Sequence, residues 1–303
     1  MTTRLAPCSI AAGNTLGEGV VWCPSRQCLY WTDIPAATLW CHWPDTDTTR
    51  TWALPERLAC LALCERDTWL LLGLASRLAF LHLPSGEIHP IADVEEGLPT
   101  RLNDGACDRE GRFVFGTLHE PADGGPQRPV GSFYRLDTDL SLHRLDLGNV
   151  AISNSLAFSP DGRTLYFCDS PTRTIRRCAY AEDGSVGAVE DWIDLARIDG
   201  EPDGSCVDAD GGLWNAQWGM GRVVRYRPDG SEDVVVAVPA AQSTRPALGG
   251  PDLDTLYITS AHEGMTPAAR RACPQAGHVF AARLAYRGLP EPRFAGAPPT
   301  VRF

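Results

Sequence analysis

Short apolar and aromatic runs recur along the chain with turn residues between them. Aligned on their centres, they fall at Tyr30 in "QCLYWTD", Leu70 in "DTWLLLG" and Phe113 in "GRFVFGT". The series continues at Tyr166 in "RTLYFCD", Trp214 in "GGLWNAQ" and Tyr257 in "DTLYITS". The spacing is roughly 40–50 residues, the length of a unit of four short strands. Asp161-Gly162, Asp210-Gly211 and Glu110-Gly111 supply hairpin signals just ahead of three centres. A further strand-like run follows most centres, as in "GSFYRLD", "RTIRRCAY", "GRVVRYRPDG" and "GHVFAARL". No long stretch repeats with helical period. The pattern predicts an all-β protein, a six-bladed β-propeller formed as a single domain over residues 1–303. Two β-sandwich domains are the alternative, and no linker or composition shift divides the chain for them.

One stretch resists a purely structural reading. "EPDGSCVDADGGLW", residues 201–214, holds two Asp-Gly pairs, yet one hairpin needs only one. Asp210 sits four residues before its centre, as Asp161 sits five before its own, so Asp210-Gly211 is read as the turn. Asp203 lies eleven before Trp214, at the start of the innermost strand. Glu18, Asn103 and Asn154 occupy the same phase, ten to twelve residues before Tyr30, Phe113 and Tyr166. The second and sixth units are read there as apolar, with Leu58-Ala59 and Ala247-Leu248; Asp104-Gly105 is read as a loop turn.

Innermost propeller strands line a central channel, so these four polar residues are expected to meet at one mouth of it. Two carboxylates pointed together repel unless a proton or a cation intervenes. Carboxylate and amide oxygens suit a hard or borderline divalent ion such as Ca²⁺, Mg²⁺, Mn²⁺ or Zn²⁺. Arg101, two before Asn103, is placed to bind polar substrate oxygens. His119-Glu120 and Gln217-Trp218, at the ends of second strands, are within reach of the same mouth.

Composition narrows the chemistry. The chain has 303 residues, a net charge of −11 and no basic block, so nucleic acid and anionic membrane are poor partners. There is no lysine, which excludes Schiff-base, Walker-lysine and Ser-Lys mechanisms. The eleven cysteines form no Cys-x-x-Cys pair and read as reduced packing residues of a cytoplasmic protein. The first residues carry no long apolar run, so no secretory signal is expected, and no run is long enough to span a membrane. Neither a Gly-x-Ser-x-Gly elbow nor His-Glu-x-x-His occurs. "YWTD" at 30–33 reads as core packing plus a turn aspartate.

The stretches "LGEGVVW", "RLNDGACDREGRFVFGT", "ISNSLAFSPDGRTLYFCDS", "EPDGSCVDADGGLWNAQWGMGRVVRY" and "RPALGGPDLDTLYITSAHEGM" resemble the SMP-30/gluconolactonase/LRE-like family, collinearly over nearly the whole chain. The resemblance implies a six-bladed propeller with one catalytic divalent cation, Ca²⁺ or Zn²⁺ foremost and Mg²⁺, Mn²⁺ or Fe²⁺ open. Its ligands would be Glu18, Asn154 and Asp203, with Asp203 also the proton acceptor. Arg101, Asn103 and Glu120 would hold substrate, although the loop "GTLHEPADGG" around Glu120 departs from the family pattern. The implied activity is hydrolysis of a sugar lactone, such as an arabinono-, galactono-, xylono- or glucono-lactone, by a monomer or weak homo-oligomer. A phosphotriesterase on the same scaffold and a non-enzymatic binding propeller are the competing readings.

Overall fold

Four strands in antiparallel order, Gly17–Cys23, Cys28–Asp33, Thr38–Trp43 and Thr48–Ala53, form the first sheet of the chain. This is seen in a computed structural model that describes residues 2–300; Met1 and residues 301–303, part of the expected single-domain span, lie outside it. Three more four-stranded sheets follow over 58–93, 100–144 and 153–194. The fifth unit holds Glu201–Val207, Leu213–Trp218, Arg222–Tyr226 and Glu232–Ala237, with Thr2–Leu5 parallel to the last. The sixth holds Gln242–Gly249, Thr255–Ala261 and Val279–Arg283, and Cys8–Ile10 completes it antiparallel to Val279–Arg283. Units five and six merge into one nine-stranded sheet through a Trp218–Gln242 pairing. The fold is all-β, with a single short α-helix, Pro267–Ala272, among the described residues. No helix among them is long and apolar enough to cross a membrane.

The first strands of the six units are neighbours in chain order, and Gln242–Gly249 returns against Gly17–Cys23, so they form a closed ring. One hydrophobic cluster sits between each pair of adjacent units. Tyr30, Leu39 and Cys41 pack on Leu61, Leu70 and Leu81 between the first and second. Trp22 stacks on Tyr257 at 5.8 Å between the sixth and first. A sheet covered on both faces has no solvated side, so its inner strands read as continuous apolar runs rather than alternating ones. Cys28–Asp33 and Trp69–Leu74 are buried at every position. Every cysteine whose side chain is described is free, most of them inside these clusters.

The turn at 208–212 follows the sequence reading, with one correction. Gly211 adopts φ +80°, which glycine tolerates best. The side chain that holds the turn is Asp208, not Asp210. Asp208 Oδ1 accepts from the backbone N–H of Asp210 at 3.0 Å and Gly212 at 2.8 Å. Its Oδ2 accepts from Arg225 Nε at 2.6 Å and Trp214 Nε1 at 2.8 Å, fully out of water. Asp210 is exposed. Asp208→Ala removes one of the two carboxylate partners of Arg225, Asp233 being the other, and leaves Trp214 Nε1 without its acceptor, so it is expected to lower unfolding free energy by about 1–3 kcal/mol. Asp210→Ala, a surface change, is expected to stay within about 0.5 kcal/mol. Urea unfolding of both variants checks the difference.

Candidate functional site

Every innermost strand slips register at the same place. The shift falls between Glu18 and Val21, Leu58 and Cys60, and Leu102 and Gly105. In the other three units it falls between Asn154 and Ala157, Pro202 and Ser205, and Ser243 and Pro246. A bulge bends its strand and re-aims the side chains beside it. Gly19 and Ser155, the residues after Glu18 and Asn154, both take left-handed backbone, at φ +62° and +61°. For Ser155 this conformation is strained. Its hydroxyl offsets the strain by donating to the Asp203 carbonyl at 2.6 Å and accepting from Asn215 Nδ2 at 3.0 Å.

The re-aimed residues meet in one cavity of about 250 Å³, lined by Glu18, Arg101, Asn103, Asn154 and Asp203 together. Leu118, Ile152, Pro202 and Trp218 form its apolar wall, and Gln127, Ser170, Glu201 and Glu263 add polar groups. The amide of Asn154 is oriented from behind: its Nδ2 donates to Ser170 Oγ at 2.9 Å, and Ser170 Oγ donates to the Pro202 carbonyl at 2.7 Å. That leaves Asn154 Oδ1 free for other donors, among them Asn103 Nδ2 at 3.2 Å. Asn103 Nδ2 also donates to the Ser153 carbonyl at 2.8 Å, and its Oδ1 accepts from Arg101 Nη1 at 2.9 Å. Arg101 Nε is buried without a hydrogen-bond partner.

Glu18 and Asp203 are an electrostatic problem. Burial pushes the Glu18 carboxyl from its ordinary 4.5 up to about 7. Burial, then the charge of Glu18, pushes Asp203 well above the carboxylate range. Among the described residues neither forms an ion pair. Of the guanidinium groups whose charge reaches Glu18, Arg245 is bound to Asp104 and Arg101 to Asn103 and, at 3.6 Å, Glu120. No cluster of three or more His, Cys, Asp or Glu side chains suited to a metal occurs among the described residues. The donors present are two carboxylates and one amide oxygen, an all-oxygen set that fits a hard divalent cation better than a thiol- or imidazole-loving one.

The remaining expected residues divide. Glu120 stands outside the cavity lining; Arg57 grips it in a fork at 2.6 and 2.7 Å, and it backs Arg101. His119 is buried, with Nδ1 accepting from the Arg128 N–H. Gln217 is tied to Tyr226 and Arg222 and does not line the cavity, whereas Trp218 does. Two readings are corrected. Asp104 is no loop turn: it lies within Thr100–Cys107, buried, and pairs with Arg245 across the ring. The sixth unit is not apolar at this phase, because the bulge brings Thr244 and Arg245 to it. Counting twelve back from Tyr257, as from Tyr30 and Tyr166, lands on Arg245, so the signal was in the spacing. Gln127, Glu201 and Glu263 carried no such signal, since they sit in connections or at strand ends whose course the repeat does not specify.

The family's sequence model, the SMP-30/gluconolactonase/LRE-like region, matches residues 16–262. The chain belongs to the SMP-30/gluconolactonase/LRE-like family. It is 52% identical to the L-arabinolactonase of Azospirillum brasilense over 94% of each chain. It is 37% identical to the 6-deoxy-6-sulfogluconolactonase of Pseudomonas putida, covering 95% of this chain and 98% of that one. Among solved structures it is similar to the calcium-binding protein regucalcin of Agrobacterium tumefaciens, with a TM-score of 0.91, 31% identity, and 97% and 99% of the two chains covered. The resemblance seen in the sequence motifs is therefore borne out at the level of family.

The raised carboxyls set a pH dependence. Folded Glu18 keeps a proton that the unfolded chain has already released, so metal-free stability falls as pH rises from about 4.5 through 7 and then levels. Asp203 acts in the same direction. In chelator, Tm at pH 8 is expected below that at pH 5, and Glu18→Gln should flatten the difference. An unchanged slope in that variant, read by thermal melts, would remove the facing carboxylates as its cause.

Proposed function

We propose that the chain is a divalent-cation-dependent lactonase that hydrolyses a sugar lactone to its aldonic acid. The observation that carries this is the convergence of Glu18, Asn154 and Asp203 with Arg101 and Asn103 in one cavity. The lactonase names of its relatives support the reaction class, and the calcium-binding name of regucalcin supports a divalent ion. In this reading the six four-stranded units are the blades of a six-bladed propeller, one domain over 1–303. Its free thiols fit the reducing cytoplasm.

Glu18, Asn154 Oδ1 and Asp203 would hold the ion, which supplies Lewis acidity at a carbonyl oxygen and acidifies water. The chain does the rest. Arg101 and Asn103 present fixed donors to the hydroxyls and ester oxygens of the lactone, orienting it before reaction. Leu118, Ile152 and Trp218 cover the sugar's apolar faces and exclude bulk water. Water adds to the carbonyl carbon while Asp203 takes its proton. The ring C–O bond then breaks and Asp203 returns the proton to the departing ring oxygen, leaving a hydroxyl and a carboxylic acid that ionises. Glu120 holds Arg101 in place from behind and is assigned a supporting role in substrate binding.

A panel of aldonolactones, assayed with and without chelator, tests the reading. Chelation should abolish hydrolysis while circular dichroism stays unchanged, because the cores between units are independent of the cavity. Asp203→Ala should lower kcat/KM by at least about 10²-fold and weaken cation binding measured by calorimetry. Full activity in chelator would exclude the proposed cation.

A further inference from the structure

Hydrolysis turns an uncharged lactone into an anion, and the groups around the cavity mouth bear unequally on the two. Glu201 opens the fifth unit's inner strand and Glu263 follows Thr255–Ala261; both line the cavity. Neither forms an ion pair among the described residues. Two cations stand nearby, Arg57 and Arg101, and the charge of Glu263 reaches both. Yet Arg57 is forked onto Glu120, and Arg101 is shared between Glu120, the Leu102 carbonyl and Asn103 Oδ1. Arg57 and Arg101 against Glu120, Glu201 and Glu263 leave one net negative charge at the mouth. The divalent ion of the lactonase reading would offset only Glu18 and Asp203 below. The whole chain, at −11, adds a field of the same sign.

We infer that Glu201 and Glu263 are specificity residues that select uncharged lactones over phosphorylated, sulfonated or carboxylated ones and speed departure of the aldonate product. The inference rests on the lactonase reading and narrows its substrate class. The polar wall of Arg101, Asn103 and Gln127 satisfies sugar hydroxyls, whereas an anionic far end of the substrate would meet a net negative opening with two carboxylates that form no ion pair among the described residues. Discrimination of this kind comes from repulsion of the wrong ligand as much as from attraction of the right one. The relative named for a sulfonated lactone shows that the family's names extend to anionic substrates, so the choice belongs to residues of the individual chain.

The test pairs the aldonolactone turned over fastest in the panel with its terminal phosphate ester, using cation-loaded enzyme. Wild-type kcat/KM should favour the uncharged lactone by at least about tenfold. In the Glu201→Gln/Glu263→Gln double variant this ratio should shrink by at least about fivefold, the effect of one unit charge at roughly 8 Å and an effective dielectric of about 40. Inhibition by the free aldonate should tighten in the same variant. About 1 M salt, where the Debye length is near 3 Å, should compress the wild-type ratio likewise. Glu182→Gln removes one exposed charge on a hairpin at the opposite end of the sheets and should leave the ratio unchanged. A ratio that does not move in the double variant, or that moves equally in Glu182→Gln, overturns the inference while leaving the lactonase reading intact. Failure of wild type to hydrolyse any lactone in the panel removes both.

Discussion

Two carboxylates brought together in one cavity, Glu18 half-buried and Asp203 buried, are the constraint around which this molecule is organised. Burial opposes the ionised form of both, and at Asp203 the charge of Glu18 adds to it. A fold can keep such a pair only if its stability comes from elsewhere. Here it comes from six hydrophobic clusters, one between each pair of neighbouring sheets, none of which depends on the cavity. The ring of inner strands then serves as a frame, and the bulges of the first, third, fourth and fifth units bring Glu18, Asn103, Asn154 and Asp203 to the cavity.

The frame is braced where the strain is greatest. Arg245 and Asp104 join the sixth and third units beneath the cavity, and Asp104 Oδ2 also accepts from the Leu156 N–H of the fourth at 2.8 Å. Ser155 links the fourth unit to the fifth through the Asp203 carbonyl. Thr244 Oγ1 donates to the Gly17 carbonyl at 2.6 Å, tying the last inner strand to the residue before Glu18. Each brace is a buried polar contact between different units. Such contacts add directional precision that apolar packing lacks.

Around this centre the cavity-lining groups are arranged in depth. The oxygen donors of Glu18, Asn154 and Asp203 sit at the bulges. Arg101 and Asn103 stand beside them, held by each other and by Glu120 and Arg57 behind. Glu201, Glu263 and Gln127 come from strand ends and connections, the parts of a sheet protein freest to differ between relatives. In the proposed reading, binding chemistry is thus assigned to the strands and discrimination to the segments that join them.

The repeat, the all-β class and the shared phase of Glu18, Asn103, Asn154 and Asp203 were legible in the sequence, because strand units of nearly equal length recur and a polar residue in a buried strand breaks an apolar pattern. Arg245 was legible too, by the same count, but the apolar Ala247-Leu248 just beyond it masks its phase. Asp208 was overshadowed by the more familiar Asp-Gly turn signal at Asp210-Gly211. Other features only the tertiary structure could decide. The sixth unit takes its last strand from Cys8–Ile10, more than two hundred residues away in the chain. The Arg245–Asp104 pair, the Arg57–Glu120 fork and the charges of Glu201 and Glu263, without an ion pair among the described residues, depend on which strands and loops face one another across the ring. Local periodicity specifies what each strand buries; which charges end up neighbours is settled when the ring closes.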